Sequence, residues 1–153
     1  MDDSISITNE FFSPTADKFL YYDDITPFIW TLINTYPHEF IKKYFFITEI
    51  SVLKNIFMGH SIDVNIPLEL VRSIHYYGGN TVTVNSEILL LIASIEEQRN
   101  DLVDFLLKLG ASSNLEWNNI FPLELACKYS DKNIVYNLLT SDSNINLLYK
   151  SIL

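Results

Sequence analysis

The residue types that carry most protein chemistry are sparse in this sequence. The three histidines, His38, His60 and His75, show no His-x-x-x-His spacing, and Cys127 is the single cysteine. A structural zinc site needs four Cys or His ligands at short, regular spacing, so no metal site is predicted. A cysteine nucleophile needs a base beside it and partial exposure. Cys127 follows a small residue within an apolar helical pattern, which instead favours a buried packing role.

The acidic and glycine motifs do not match known catalytic patterns either. Glu96 and Glu97 are adjacent in a predicted helix, where neighbouring side chains point about 100° apart and do not converge on one substrate atom. Gly78-Gly79 lacks the third glycine and the Lys-Ser/Thr pair of a phosphate-binding loop. The sequence therefore predicts a protein that is not an enzyme and has no cofactor. A small enzyme using Glu124 or the cysteine is the second alternative.

The charge balance favours a protein partner over nucleic acid or a membrane. The formal net charge is −9, from 19 acidic and 10 basic side chains, whereas nucleic acids and anionic membranes attract clustered Lys and Arg. The plainer interpretation is that acidity only keeps the protein in solution. The start of the chain is acidic where a signal peptide is basic, and no apolar run reaches the roughly 18 residues of a membrane span. These features predict a cytoplasmic location, in the producing cell or in a host cell.

The elements that position these residues recur along the chain. The tetrapeptide Pro-Leu-Glu-Leu occurs at 67–70 and at 122–125, and each copy is predicted to begin a helix. A second similarity links 101–107 with 133–139. A Leu-Val and a Leu-Leu pair in the first segment recur as an Ile-Val and a Leu-Leu pair in the second, at one constant offset. We call this offset, from position 102 to position 134, the repeat period. A fixed period of roughly 20–50 residues is typical of stacked repeats.

Residues 119–146 resemble an ankyrin repeat. The opening is Phe121-Pro122-Leu123-Glu124, the small pair is Ala126-Cys127, the outer helix contains Ile134, Val135, Leu138 and Leu139, and the closing turn is 142–146. Similar turns occur at 110–114 and 61–65. The family's opening Thr and His are replaced by Phe121 and Glu124, so the hydrogen bonds that join neighbouring repeats in the family are lost. The resemblance is clear over 100–146, fair over 60–100 and faint before residue 37.

The resemblance implies an all-α fold of stacked helix-turn-helix repeats in a single domain, 1–153. Between the two Pro-Leu-Glu-Leu motifs lie more residues than the period allows, which predicts an inserted loop near 78–85, followed by a helix over 86–98. Further helices are predicted from Thr26, over 38–46 and over 49–58. The expected boundaries are an aromatic N-terminal cap at 1–25, degenerate helices at 26–65, a repeat with the insertion at 66–114, the best-preserved repeat at 115–146 and a C-terminal apolar cap at 147–153.

The resemblance also implies where a partner would bind, at the tips between repeats and on the exposed faces of the inner helices. The predicted contact residues are Leu115, Glu116, Trp117, Asn118 and Ile120 at a tip, Lys128 and Tyr129 on an inner helix, and Glu96, Glu97, Tyr76 and Tyr77 beside them. Trp117 has two interpretations: it anchors the partner, or it folds back over its own hairpin. For the two adjacent tyrosines, core packing of at least one is the alternative.

The expected function is non-catalytic binding by a chain that is a monomer on its own. It would neutralise one specific, basic protein, as an immunity protein occludes a toxin or nuclease. Glu96, Glu97, Glu116 and Asp104 would speed the encounter, and the aromatic contacts would set the dissociation rate. The alternative is a viral or intracellular-bacterial host-range factor or effector that binds a host protein.

Overall fold

A computed structural model describes most of the chain between Phe19 and Ser141. The described ranges are 19–75, 78–79, 81–129 and 131–141. Most of the predicted aromatic cap, the closing turn at 142–146 and the apolar segment at 147–153 lie outside the described residues. The chain divides into two compact units. The first comprises 1–62 and 69–86, and the second comprises 63–68 and 87–153.

Helices predominate in the described ranges, and two strands interrupt them. The helices are α1 (Pro27–Thr35), α2 (Pro37–Tyr44), α3 (Ile50–Gly59), α4 (Leu90–Glu96), α5 (Asn100–Lys108), α6 (Pro122–Lys128) and α7 (Lys132–Thr140), and the strands are β1 (Leu68–His75) and β2 (Thr81–Ile88). Short 3-10 turns lie at Tyr22–Asp24 and Phe45–Ile47.

Two helices of the first unit begin at a proline, and the first of them also has a side-chain cap. The Thr26 hydroxyl accepts a hydrogen bond from the Ile29 amide at 3.3 Å, and Pro27 is the first helical residue of α1. Proline is well placed there because its missing N–H is not needed in the first turn. Pro37 opens α2 in the same way. The predicted helices from Thr26, over 38–46 and over 49–58 are therefore confirmed, with shifts of one or two residues at their ends.

The core of the first unit is built from aromatic and branched side chains on α1 to α3 and on the 3-10 turn Phe45–Ile47. Its fully buried members include Ile33, Phe40, Ile41, Tyr44, Phe45, Val52, Leu53 and Ile56. The Phe40 and Tyr44 rings lie 5.3 Å apart, and Phe45 meets Phe57 edge-on at 6.2 Å. Burial raises the pKa of the Tyr44 phenol well above its ordinary value, because the apolar surroundings disfavour the charged form.

The prediction of an all-α fold is wrong, because β1 and β2 pair as an antiparallel hairpin. The first Pro-Leu-Glu-Leu motif lies at the start of β1 and not in a helix, and residues 81–85 of the predicted inserted loop lie in β2. The turn between the strands contains Gly78 and Gly79 at φ values of +97° and +85°, which favour glycine. The predicted helix over 86–98 is correspondingly shorter, since it begins only at Leu90.

The second unit contains two helix pairs in the same register. Helix α4 begins at Leu90 and α6 at Pro122, while α5 begins at Asn100 and α7 at Lys132, so both members of the pair recur after one repeat period. Each helix also ends one repeat period before its counterpart. Helix α4 packs against α5 and α6, and α7 packs against α5 and α6. The predicted repeat period is therefore present in the helix positions.

Asn65 joins the short segment 63–68 to the rest of the second unit. Its side-chain amide donates a hydrogen bond to the Gly110 carbonyl at 3.1 Å, and its side-chain oxygen accepts one from the Ser112 amide at 2.7 Å. Gly110 follows α5 with a φ of +97°, a value that L-residues rarely adopt. One side chain thus connects two turns that share the same sequence pattern.

Candidate functional site

The predicted tip is a tight two-residue hairpin. Trp117 and Ile120 exchange both backbone hydrogen bonds, at 2.9 and 3.0 Å. Between them, Asn118 and Asn119 have φ values of +49° and +64°, as a type I′ turn requires at both central positions. Asparagine tolerates this conformation better than most residues because its short polar side chain bonds locally. The tip is therefore a tight, doubly hydrogen-bonded turn formed without a glycine.

The side chains of the tip differ in exposure. Asn118, Asn119 and Glu116 are exposed, whereas Leu115, Trp117 and Ile120 are half-buried. The half-burial of Trp117 is compatible with both interpretations of its role, since part of the residue stays accessible. The amide and carboxylate groups are thus the most accessible part of the tip.

The other predicted contacts lie together at the ends of the inner helices. Glu96 ends α4 and Lys128 ends α6, one repeat period apart, and each is followed by a second predicted contact, Glu97 or Tyr129. Because α4 packs against α6, these four residues occupy equivalent positions on neighbouring helices. Lys128 and Glu97 are exposed, and Tyr129 is 41% exposed. We call these four residues the helix-end patch.

The tip and the helix-end patch lie at opposite ends of α6. Ile120 precedes the first residue of α6 by two positions, and Lys128 is its last residue. A helix of this length spans about 10 Å. The predicted residues therefore form two patches along one helix, and a partner would have to extend along α6 to touch both. Tyr76 and Tyr77 lie outside the described residues.

Two acidic side chains of α5, Asp101 and Asp104, have cationic neighbours. The Asp104 carboxylate, one of the groups expected to attract a partner, lies 2.9 Å from the Lys108 ammonium. Arg99 forms a two-pronged contact with Asp101, at 3.0 and 2.9 Å. This hydrogen-bonded guanidinium holds the pKa of the Asp101 carboxyl below its ordinary value. Asp104 therefore contributes less to the field around the second unit than its formal charge suggests.

The expected buried role of Cys127 is wrong, because its side chain is exposed. It lies at the edge of a groove of about 380 Å³ on the α6/α7 pair, lined also by Lys132, Val135, Tyr136 and Leu139. Sequence reasoning assigned Val135 and Leu139 to the outer helix but did not identify this groove. The sequence spacing could have indicated the groove, because its lining residues on α7 follow i, i+3, i+4, i+7 spacing on one side of the helix: Lys132, Val135, Tyr136 and Leu139.

A polar cleft in the first unit was also missed. It has a volume of about 210 Å³ and is lined by Glu39, Lys42, Lys43, Glu69, Val71 and Asn85. Lys42 contacts Glu39 across one helical turn at 3.5 Å. The cleft combines two ammonium and two carboxylate groups, so its formal charges cancel. Its residues come from α2 and from both strands, and no local sequence spacing links them.

Within the described ranges, no group of three or more His, Cys, Asp or Glu side chains is arranged to hold a metal ion. None of the helices in these ranges combines the length and apolar character that a bilayer crossing needs. Comparison with family models, with curated proteins and with solved structures found no match.

Proposed function

We propose that this protein is a non-catalytic binding module of ankyrin-like repeats that neutralises one specific, basic protein partner, in the manner of an immunity protein. The observation that carries the proposal is the recurrence of the helix pair after one repeat period. Stacked repeats hold exposed residues at equivalent positions on a rigid frame, and extended surfaces of this kind serve protein recognition. The predicted contacts at the ends of α4 and α6 occupy such equivalent positions.

Charge supports a basic partner. The second unit, which contains both patches, has ten acidic and five basic side chains. Glu97 and Glu116 are exposed, one in each patch. Long-range attraction of this sort speeds the diffusional encounter and is screened by salt. It acts on a partner of opposite charge before any contact forms.

The chemistry of the two patches suits separate roles. The helix-end patch combines acidic side chains with Tyr129, whose exposed ring would be covered on binding. Aromatic side chains of this kind contribute strongly to interface stability. The tip offers amide groups on a rigid turn, which contribute directional hydrogen bonds. Attraction would then act mainly on the association rate, and covering Tyr129 mainly on the dissociation rate.

The test begins with affinity capture from the native host, with the full chain as bait and a chain carrying Tyr129→Ala and Glu97→Lys as the matched control. A partner retained by the first bait and lost with the second is then purified. Its association and dissociation rates are measured at low and high salt. We expect the association rate to fall with salt and the dissociation rate to rise in Tyr129→Ala.

Two results would contradict the proposal in different ways. An affinity that is the same at low and high salt would contradict the proposed electrostatic attraction between the protein and its partner. Equal capture by both baits would show that the partner binds elsewhere on the chain. Lys132→Ala provides a further control, since this exposed side chain lies at the groove and outside both patches.

A further inference from the structure

Helix α7 has two apolar sides, and one of them lies open among the described residues. Ile134 and Leu138 face the interior and are fully buried. Val135, Tyr136 and Leu139 face the groove described above, with Tyr136 66% and Leu139 41% exposed. A helix that is apolar on both sides is normally covered on both. The groove is therefore a surface suited to a further element.

The preceding repeat shows that the equivalent positions are covered. Val103 lies one repeat period before Val135, and Ile95 lies one repeat period before Cys127. Both Val103 and Ile95 are 0% exposed, and the α6/α7 pair packs against the α4/α5 pair that contains them. Two groove positions, Cys127 and Val135, thus have counterparts that are buried one repeat earlier, whereas the counterparts of Tyr136 and Leu139 are half-buried.

The chain that follows α7 has the composition of a covering element. Ile145, Leu148, Tyr149 and Ile152 recur at i, i+3, i+4, i+7 spacing, which is the pattern of one apolar helix face. Lys150 falls on the opposite side of such a helix. The segment is also tethered beside the groove, because α7 ends at Thr140, one residue after Leu139.

We propose that residues 142–153 dock in this groove, with the stripe Ile145, Leu148, Tyr149 and Ile152 against Cys127, Val135, Tyr136 and Leu139. The short tether favours this occupant over a separate molecule, since it raises the effective concentration of the segment at the groove to about the millimolar range. Docking would remove an apolar patch from the end of the repeat stack, and repeat stacks generally need such a cap. This docking does not depend on which partner the patches bind.

The single cysteine makes the proposal testable in the full chain by disulfide trapping. A second cysteine is introduced as Leu148→Cys on the stripe or as Lys150→Cys on the opposite side, and the dilute proteins are oxidised with diamide. A disulfide forms readily only between cysteines whose Cβ atoms approach and face each other, so we expect at least about tenfold faster intramolecular bridging for Leu148→Cys. Products are separated by non-reducing electrophoresis and identified by mass spectrometry.

The alternatives give different products. Disulfide-linked dimers that form faster for Leu148→Cys than for Lys150→Cys, without an intramolecular bridge, would indicate that a second copy occupies the groove, and would overturn the proposal. Equal bridging rates for the two variants would overturn it as well, because positions 148 and 150 would then approach Cys127 equally.

A second measurement covers the case in which the Leu148→Cys chain does not fold. Alkylation of Cys127 by a maleimide is timed in the parent chain, in Leu148→Ser and in Lys150→Ser, with circular dichroism as the check on folding. We expect Leu148→Ser to be alkylated several-fold faster than the parent and Lys150→Ser at the parent rate. The same rate in all three folded chains would mean that the segment does not cover the groove.

Discussion

Replacement of Asn65 by alanine should destabilise the second unit selectively. The substitution removes two hydrogen bonds, one donated to the Gly110 carbonyl and one accepted from the half-buried Ser112 amide. Each such bond contributes about 0.5–1.5 kcal/mol net, so the expected loss is about 2 kcal/mol. Asn65→Asp keeps the acceptor, loses the donor and turns a carboxylate oxygen towards the Gly110 carbonyl, so it should cost at least half as much.

The assay can be confined to the unit that contains Asn65. The chain has two tryptophans, Trp30 in the first unit and Trp117 in the second. In a Trp30→Phe background, fluorescence therefore follows the second unit alone during urea unfolding. For a domain of this size the dependence on urea is about 1–3 kcal/mol per molar, so a loss of about 2 kcal/mol lowers the midpoint by about 1 M.

The matched control is Asn133→Ala, which removes an exposed asparagine of the same unit. We expect its midpoint to stay near that of the parent, because an exposed side chain contributes little to stability. If Asn65→Ala shifted the midpoint no more than Asn133→Ala, Asn65 would not be the link between the two turns.

Four further predictions test separate parts of the structure. Gly110→Ala should destabilise by about 1–2 kcal/mol, because φ is +97° there and no atom lies within 4 Å of the added Cβ, so the cost is conformational. Gly59→Ala, equally free of neighbours but without a positive φ, is its control in the same denaturation assay. Ser94→Ala should raise the melting temperature, with a gain of about 1 kcal/mol, since the buried hydroxyl has no hydrogen-bond partner among the described residues. A lower melting temperature would show that the hydroxyl is satisfied. Asn119→Gly should preserve or slightly increase stability, while Asn119→Ala should cost about 1 kcal/mol, because the turn requires a positive φ; equal melting temperatures would contradict that geometry. Asp101→Asn should destabilise at neutral pH by less than about 1 kcal/mol, as its ion pair is partly exposed. Because its pKa is lowered on folding, the stabilisation is present above the ordinary carboxyl pKa of 3.8 and is lost as the pH falls below it. Denaturation curves of parent and variant should therefore converge in acid, and a difference that persists there would contradict the assignment.

The two Pro-Leu-Glu-Leu motifs show what local sequence determines and what it does not. The copy at 122–125 is followed by Ala-Cys-Lys and forms a helix, whereas the copy at 67–70 is followed by Val-Arg-Ser-Ile and leads into a strand. Branched residues favour strands, and a second run of alternating Thr and Val lies just beyond two glycines. The four shared residues are compatible with both structures, so the neighbouring residues decided between them.

The repeat period was predictable because it depends on long-range spacing. The apolar pairs at 102–103 and 134–135 set the register, and the helices keep that register at both ends. The exposure of individual side chains was less predictable, because it depends on whether another helix pair packs next in the stack. Cys127 and Ile95 occupy equivalent positions, yet one is exposed and the other is fully buried. No local pattern at residue 127 distinguishes these outcomes.

The positions of the β1–β2 hairpin and the tip explain why the sequence predicted an inserted loop where the hairpin lies. Strand β2 ends at Ile88, and the bridge of the short tip ends at Ile120, one repeat period later. Each is followed by one residue and then by the first residue of an inner helix, Leu90 or Pro122. The β1–β2 hairpin therefore occupies the repeat position of the tip, with longer strands. Both helix pairs that share the repeat period, α4/α5 and α6/α7, follow the hairpin, so its extra residues do not disturb their register. The period is therefore present in the second unit although the fold is not all-α.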